Sequence, residues 1–261
     1  MLPDDDWSPV EVPELAALPA PIMPRSQNLA PRQIFPLHAH RWNQLVYATS
    51  GTLVVTVAGS WHVISPEQAI WVPTGVEHTT GTRDGAAFRN LYIEDQPGLQ
   101  MPGQCTVLTV TPLLRALIIE LEAATLRDEG GPYLGALHTL ICTQLQRAPR
   151  LDFHLPWPTS PMLDRLCSAL HANPADERNM DAWGQQLGAS ARTLARRFER
   201  ETGLSLRDWR HRLRLFLALE WLGAGQGITA TALALGYASP SAFSHMFRQA
   251  MGCSPSAWLE R

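Results

Sequence analysis

Between residues 178 and 203, and again between 229 and 252, the chain repeats one succession of signals. A short segment with an apolar face meets a glycine, a capping serine opens a second segment, and a second glycine closes it. In the first copy Asn179 caps a segment carrying Met180, Trp183 and Leu187, Gly188 ends it, and Ser190 opens a run from Ala191 to Thr202 that stops at Gly203. Asn and Ser side chains accept from the free N–H groups of a first helical turn, and glycine adopts the left-handed conformation that ends a helix. In the second copy Thr229–Leu235 is Ala-rich, Gly236 breaks it, Ser239 caps, and Pro240 stands at the first helical position, where its missing N–H costs nothing. Leu194 and Phe198, four apart, give one buried stripe; Phe243 and Phe247 repeat it. A longer helix is predicted between the copies, from Leu206 to about Leu222, with Leu206, Trp209, Leu213, Phe216 and Glu220 along one side. Two helix, turn, helix units on one rigid spacer are therefore expected.

The outer faces of the two second helices are polar. Arg192, Arg196 and Arg200 recur at fourfold spacing with Arg197 beside them, and Ser241, Ser244, His245 and Arg248 lie on the outer side of the later helix. One such face is more often a solvated surface. Two of them on one spacer fit successive major grooves of duplex DNA, about 34 Å apart. Charge agrees: residues 1–160 hold 9 Arg against 15 Asp plus Glu, whereas residues 161–261 hold 12 Arg against 9. A basic C-terminal half on a chain of net charge −3 suits a polyanion partner.

The stretch Gly236-Tyr237-Ala238-Ser239-Pro240-Ser241-Ala242-Phe243-Ser244-His245-Met246-Phe247-Arg248, continuing through Gly252 and Ser254-Pro255 to Trp258, resembles the signature of the AraC/XylS family of bacterial transcription regulators. Ser190 to Gly203 resembles that family's first recognition helix. The resemblance spans residues 161–261 and implies that Ser190, Arg192, Thr193, Arg196, Arg197, Arg200, Ser239, Ser241, Ser244, His245 and Arg248 form the DNA surface. Arg192, Arg196, Ser241, Ser244 and His245 would face base edges, and Arg197 and Arg200 the backbone. His245 stands where the family commonly carries Arg or another long polar group, and Ala242 has little reach, so the first helix is expected to dominate sequence choice. Double-stranded DNA, RNA polymerase and a small-molecule or metal effector are the implied partners, in a transcriptional activator acting as a homodimer.

The N-terminal half has a different texture. Short β-type runs at Leu45–Tyr47, Leu53–Val57, Trp61–Ile64 and Ile70–Val72 are separated by turn residues, with a hairpin predicted at Ala58-Gly59-Ser60. Regularly spaced short strands suggest a small barrel or jelly roll. His38-Ala39-His40, Gln44 and Gly51, then Pro73-Thr74-Gly75-Val76-Glu77-His78, resemble the two cupin motifs over roughly residues 34–92, with Gln44 where Glu is usual and Thr82 where Asn often stands. The resemblance implies a barrel with His38, His40, Gln44 and His78 as candidate ligands for a divalent Zn, Ni or Fe ion. Gln for Glu removes the one anionic ligand, which weakens binding and favours sensing over redox catalysis. The same three histidines equally suit the polar lining of an organic-ligand pocket without metal. Trp42, Tyr47, Trp61, Trp71 and Tyr92 recur along these strands, either as barrel core or as an aromatic cavity for a small planar ligand.

The fold class expected is α+β in two domains: a cupin-like β-barrel plus a helix pair, then an all-α domain with two helix-turn-helix units. An arm at 1–30 rich in Pro and acid precedes a sensor barrel at 31–110. A helical pair at 111–148 either caps the sensor core or dimerises, a Pro-marked linker follows at 149–160, and the DNA-binding domain occupies 161–261. The acidic start lacks the order of a secretion signal, no apolar run approaches the ~18 residues of a membrane span, and four scattered cysteines read as reduced thiols. A cytoplasmic, non-enzymatic regulator is the leading reading. The alternative is a metal-dependent cupin enzyme fused to a DNA-binding domain, for which Glu77 is the one evident acid/base candidate.

Overall fold

The computed structural model describes residues 7–13, 15–66, 68–151 and 154–260. The acidic start at residues 1–6 lies outside them. The described residues fall into two compact units, 7–58 with 64–151, and 59–63 with 154–260.

The first unit opens with β1 (Ser8–Pro9), β2 (Ile22–Leu29), β3 (Gln33–His38), β4 (Asn43–Gly51) and β5 (Leu53–Val57). Ala58 and Gly59, both at positive φ, then turn the chain into β6 (Ser60–Ile64), whose first residues belong to the second unit. The first unit resumes with β7 (Gln68–Val72), β8 (His78–Thr82), β9 (Ala86–Ile93), β10 (Thr106–Thr109), α1 (Pro112–Leu126), α2 (Gly131–Arg147) and β11 (Arg150–Leu151). One sheet runs β11-β10-β7-β4-β9-β2; opposite it, β1-β3-β8-β5 are neighbours in a second.

Strand alternation divides this unit into two cores. Val46, Ala48, Ile70, Val72, Phe88 and Val107 pack with Phe35, Leu53, Val55 and Val57 between the sheets. The intervening residues Leu45, Tyr47, Ala69, Trp71, Leu91, Ile93 and Leu108 face the other way, against Leu114, Leu117, Ile118 and Leu121 of α1 and Leu137, Ile141 and Leu145 of α2. A sheet covered on both faces needs unbroken apolar runs, which is why 45–48 and 69–72 show no polar alternation. The Thr111 hydroxyl caps α1 by accepting from Leu114 N at 3.1 Å, with Pro112 at the first helical position.

Residues 22–29, placed by the sequence in a loose arm, form a strand paired along its length with β9. β2 is the edge of its sheet, so Pro24 costs no ladder hydrogen bond on its open side. The stretch 149–160 carries β11 and β12 (Leu155–Pro156).

In the second unit β12 pairs with β6, and Trp157 stacks on Trp61 at 4.2 Å. Then come α3 (Pro161–Ala172), α4 (Met180–Leu187), α5 (Ala191–Thr202), α6 (Leu206–Gly223), α7 (Ile228–Ala234), α8 (Pro240–Met251) and α9 (Pro255–Leu259). α6 touches α5, α7 and α9. Its residues Leu206, Trp209, Leu213 and Phe216 are buried as their spacing predicts, and Phe198 meets Trp209 edge-on at 5.9 Å.

Candidate functional site

Each half of the repeated device is built by the signals that announce it. Asn179 caps α4 by accepting from Ala182 N at 3.0 Å, and Gly188 ends it at φ +70°. Ser190 and Ser239 cap α5 and α8, each hydroxyl accepting a backbone N–H at 3.2 Å, and Gly203 and Gly252 close those helices in the left-handed conformation. Gly184 lets α4 approach the following turn so closely that a Cβ there would sit 2.5 Å from the Ala189 carbonyl oxygen. The buried stripes are Leu194 and Phe198 on α5, and Phe243 and Phe247 on α8.

The opposite face of α5 presents Arg192, Thr193, Arg196 and Arg200 to solvent, and α8 presents Ser241, His245 and Arg248, with Ser244 half-buried. Arg197 differs. It is half-buried and pairs with Glu201 at 3.3 Å, while the Ser160 N–H at the start of α3 donates to that carboxylate at 3.0 Å. Glu201 therefore ties α5 to the start of α3, and Arg197 pairs with it from the same helix. Ser190 and Ser239 serve as caps, and Ser190 also shares a 2.9 Å hydroxyl contact with Thr193.

The second site lies in the first unit. His38 ends β3 directly across from His78 on β8, after a bulge in the register, and their ring centroids are 4.3 Å apart. His40 is not in the strand. It stands in the loop before β4, where the Gly75 N–H donates to its carbonyl at 2.9 Å and joins the two motifs. One nitrogen from each of His38, His40 and His78 lies within 4.8 Å of the others. Sequence reading missed the Asn43 network behind them: its amide donates to Asp95 at 2.7 Å and accepts from Thr74 N at 3.2 Å.

The protonation pattern follows from the carbonyls. The Nδ1 atoms of His38, His40 and His78 face the carbonyl oxygens of Pro36, Trp42 and Val76 at 2.8, 2.7 and 2.9 Å. A carbonyl only accepts, so each Nδ1 carries a proton, and in a neutral ring the lone pair is then left on Nε2. Burial lowers the His78 pKa to about 4 and lowers that of His38, so both imidazoles are neutral at pH 7. Gln44 Oε1 lies 2.6 Å from His40 Nε2 and 3.1 Å from His78 Nε2. Three arrangements accommodate an amide oxygen here: a cation among these atoms, an Nε2–H of His40 donating to it, or an amide turned so that its NH2 donates to both rings. The donor set therefore fits a divalent metal, and equally names the metal-free arrangements that would replace it.

A cleft of about 830 Å³ adjoins the cluster, lined by Val12, Pro13, Leu15, Ala16, His38, Ala39, His40, Arg41, Trp42 and Tyr92. Of the five aromatic residues considered for a cavity, Trp42 and Tyr92 line it. Tyr47 and Trp71 do not: they occupy the opposite strand face, in the core under α1 and α2, where the Trp71 indole donates to Pro102 O at 3.1 Å. Trp61 belongs to the other unit, stacked on Trp157. Alternation is the reason, since residues 45, 47, 69 and 71 share one face and Gln44 and Tyr92 the other. The apolar wall of Val12, Pro13, Leu15 and Ala16 has no sequence signal beyond composition. Glu77 is exposed and is not among the lining residues.

A cupin-type double sheet with a histidine cluster, in one chain with two helix-turn-helix units, defines a DNA-binding regulator with its own ligand-binding domain. Residues 183–261 match the helix-turn-helix domain family and residues 25–93 the cupin domain family. The chain is 33% identical over 226 residues to the HTH-type transcriptional regulator NimR of Escherichia coli strain K12, covering 87% of this chain and 82% of that protein. It is 27% identical over 259 residues to the HTH-type transcriptional activator RhaR of Pectobacterium carotovorum, covering 88% of each. Among solved structures, ToxT from Vibrio cholerae O395 aligns over 92% of this chain and 97% of its own, at 12% identity and a TM-score of 0.37. The chain belongs to the AraC/XylS family of HTH-type transcription regulators. No helix among the described residues is long and apolar enough to cross a membrane.

Proposed function

We propose that this regulator reads duplex DNA mainly through Arg192 and Arg196 of α5, positions itself with Arg200, Ser241, Ser244, His245 and Arg248, and responds to an effector held beside His38, His40, Gln44 and His78. The reading rests above all on Gln44 Oε1 set between the Nε2 atoms of His40 and His78, in a cluster whose His38 and His40 line a cleft. A Zn, Ni or Fe ion bound there would supply positive charge and an open coordination position to an effector. Gln44 orients toward His40 and His78, the carbonyls of Pro36, Trp42 and Val76 fix the ring tautomers, and the Asn43 network holds the two motif loops.

No catalytic role belongs to this reading, because Gln44 replaces a carboxylate and Glu77 points to solvent outside the cleft. The outer side of the helix pair supports homodimerisation: Ile119 and Leu126 of α1 and Tyr133 and Leu140 of α2 are exposed apolar side chains, more than a solvated capping layer needs. A cytoplasmic activator that recruits RNA polymerase completes the proposal, on the strength of the family.

Elemental analysis of the purified full-length chain, paired with DNA-binding titrations, tests it. The His38→Ala/His40→Ala double variant should lose bound metal and effector response yet still bind DNA at low salt. Full metal content in that variant would sink the site.

A further inference from the structure

The joint from α6 to α7 holds three glycines, Gly223, Gly225 and Gly227, and Gly225 takes a positive φ of +86°. Glycine leaves a connection the widest conformational range. The covalent path from α5 through α6 to α8 therefore includes a pliable joint, and contacts have to set the aim of the second helix-turn-helix motif. The loop between α3 and α4, residues 173–178, makes contacts of this kind with both motifs. At its first-motif end the Arg178 guanidinium lies 3.7 Å from the centre of the Trp183 ring on α4 and donates to Gln186 of the same helix. Arg178 Nε also donates to the two oxygens of Asp176, at 3.1 and 2.8 Å, and these bonds, with Arg210 nearby, hold that carboxyl below the usual carboxylate range.

The other side of the loop reaches the turn of the second motif. Gly236, between α7 and α8, has φ +80°, and a Cβ there would lie 2.8 Å from Ala175 Cα, so the loop backbone and the turn glycine are in direct contact. Two arginines one helical turn apart on α6 hold the loop in place. Arg210 donates to Arg178 O at 2.7 Å and Arg214 to Pro174 O at 3.0 Å, and the Arg214 guanidinium stands 5.5 Å from the centre of the Tyr237 ring, next to Gly236. A guanidinium is a planar fork that donates at its edge and faces an aromatic ring, so one side chain joins loop and turn; a lysine brings only a point charge. We infer that the 173–178 loop is a brace that fixes α8 relative to α5, and that Arg178 and Arg214 are positioning residues that set the spacing between the two stretches of DNA the protein reads. The inference rests on both helices entering DNA, as proposed above. Spacing is where such a brace acts, since one added base pair moves the second groove by about 3.4 Å and turns it by about 35°.

The test uses the full-length protein, a duplex recovered with it from a random library, and the same duplex with one base pair inserted between the two stretches protected in footprinting. The parent chain should bind the inserted duplex at least tenfold more weakly. Arg214→Met and Arg178→Met, which release the two ends of the brace separately, should each shrink that penalty to threefold or less, and Arg214→Lys should fall between. Affinity for random-sequence duplex should stay within twofold throughout. Circular dichroism follows folding; were Arg214→Met to unfold, Arg178→Met, at the partly exposed end of the loop, carries the same test. A lower melting temperature with an unchanged insertion penalty in the folded variants overturns the brace and leaves these arginines with a structural role alone. A parent chain indifferent to the insertion also overturns it, because one motif then reads DNA by itself. In that case a loss of site preference in Arg196→Ala keeps the DNA-reading proposal standing, and no loss brings it down as well.

Discussion

Gln44 sits where the metal-bound and metal-free states of the site part. Replacing it by Glu restores an anionic ligand and should tighten divalent metal at least tenfold, measured by competition with a chelating dye; unchanged affinity would place the metal elsewhere. His78 gives a test that needs no metal. Its folded pKa of about 4 lies below the 6.5 of an unfolded histidine because the ring is buried, so the unfolded state binds the extra proton. The sign follows: the His78 contribution is fully present above pH 6.5 and is lost as pH falls toward 4, by roughly 3 kcal/mol. In chelator, urea midpoints at pH 7 and pH 4.5 should therefore lie closer together for His78→Gln than for the parent chain. On α5, Arg196→Ala should cost about 1 to 3 kcal/mol on the preferred site and flatten choice at one base position. Arg200→Ala should weaken all sequences alike and reduce the salt slope by about 1. Equal, sequence-independent losses in a site-selection experiment would show that Arg196 touches phosphate only.

Among the elements, Gly184 reverses an ordinary rule. Glycine to alanine inside a helix usually stabilises by about 1 kcal/mol, but here the added methyl would press on the Ala189 carbonyl at 2.5 Å, and backbone cannot yield cheaply. Gly184→Ala should lower the melting temperature and weaken DNA binding with it; a more stable variant would mean that the turn between α4 and α5 is looser than described. For the helix pair, Ile119→Glu with Leu140→Glu should shift the protein to monomer in sedimentation equilibrium. The helices of the repeat were legible because caps, glycines and Pro240 mark their ends locally. α3 was hidden by the prolines around it, of which Pro161 turned out to start the helix. β2 was hidden by Pro24, admissible only because that strand lies at an edge. The histidine spacing pointed to the cluster, but the loop position of His40 and the wall of Val12, Pro13, Leu15 and Ala16 depend on contacts far apart in sequence, and parity along β4 and β7, not composition, removed Tyr47 and Trp71 from the cleft.

At the scale of the whole molecule, the DNA-binding unit extends upstream of the helices that read DNA. The Trp209 indole donates to Pro156 O at 2.7 Å, and the Trp157 indole donates to Asp164 at 2.8 Å. A fragment beginning at residue 161 leaves the buried Trp209 N–H without its acceptor, at about 1 to 3 kcal/mol, so a fragment of 154–261 should melt at a higher temperature than one of 161–261. Both should bind duplex DNA with affinity that falls steeply with salt; a folded 154–261 that ignores DNA at low ionic strength would contradict the central reading. The sheet centred on β4 also sets how such a protein diversifies. On β4 and β9 the positions facing the site, Gln44 and Tyr92, alternate with positions held by the helix layer, Leu45, Leu91 and Ile93. Recognition of a new effector and preservation of the assembly are thus written on interleaved residues of the same strands, and a lineage, or an engineer, can rewrite the first without disturbing the second.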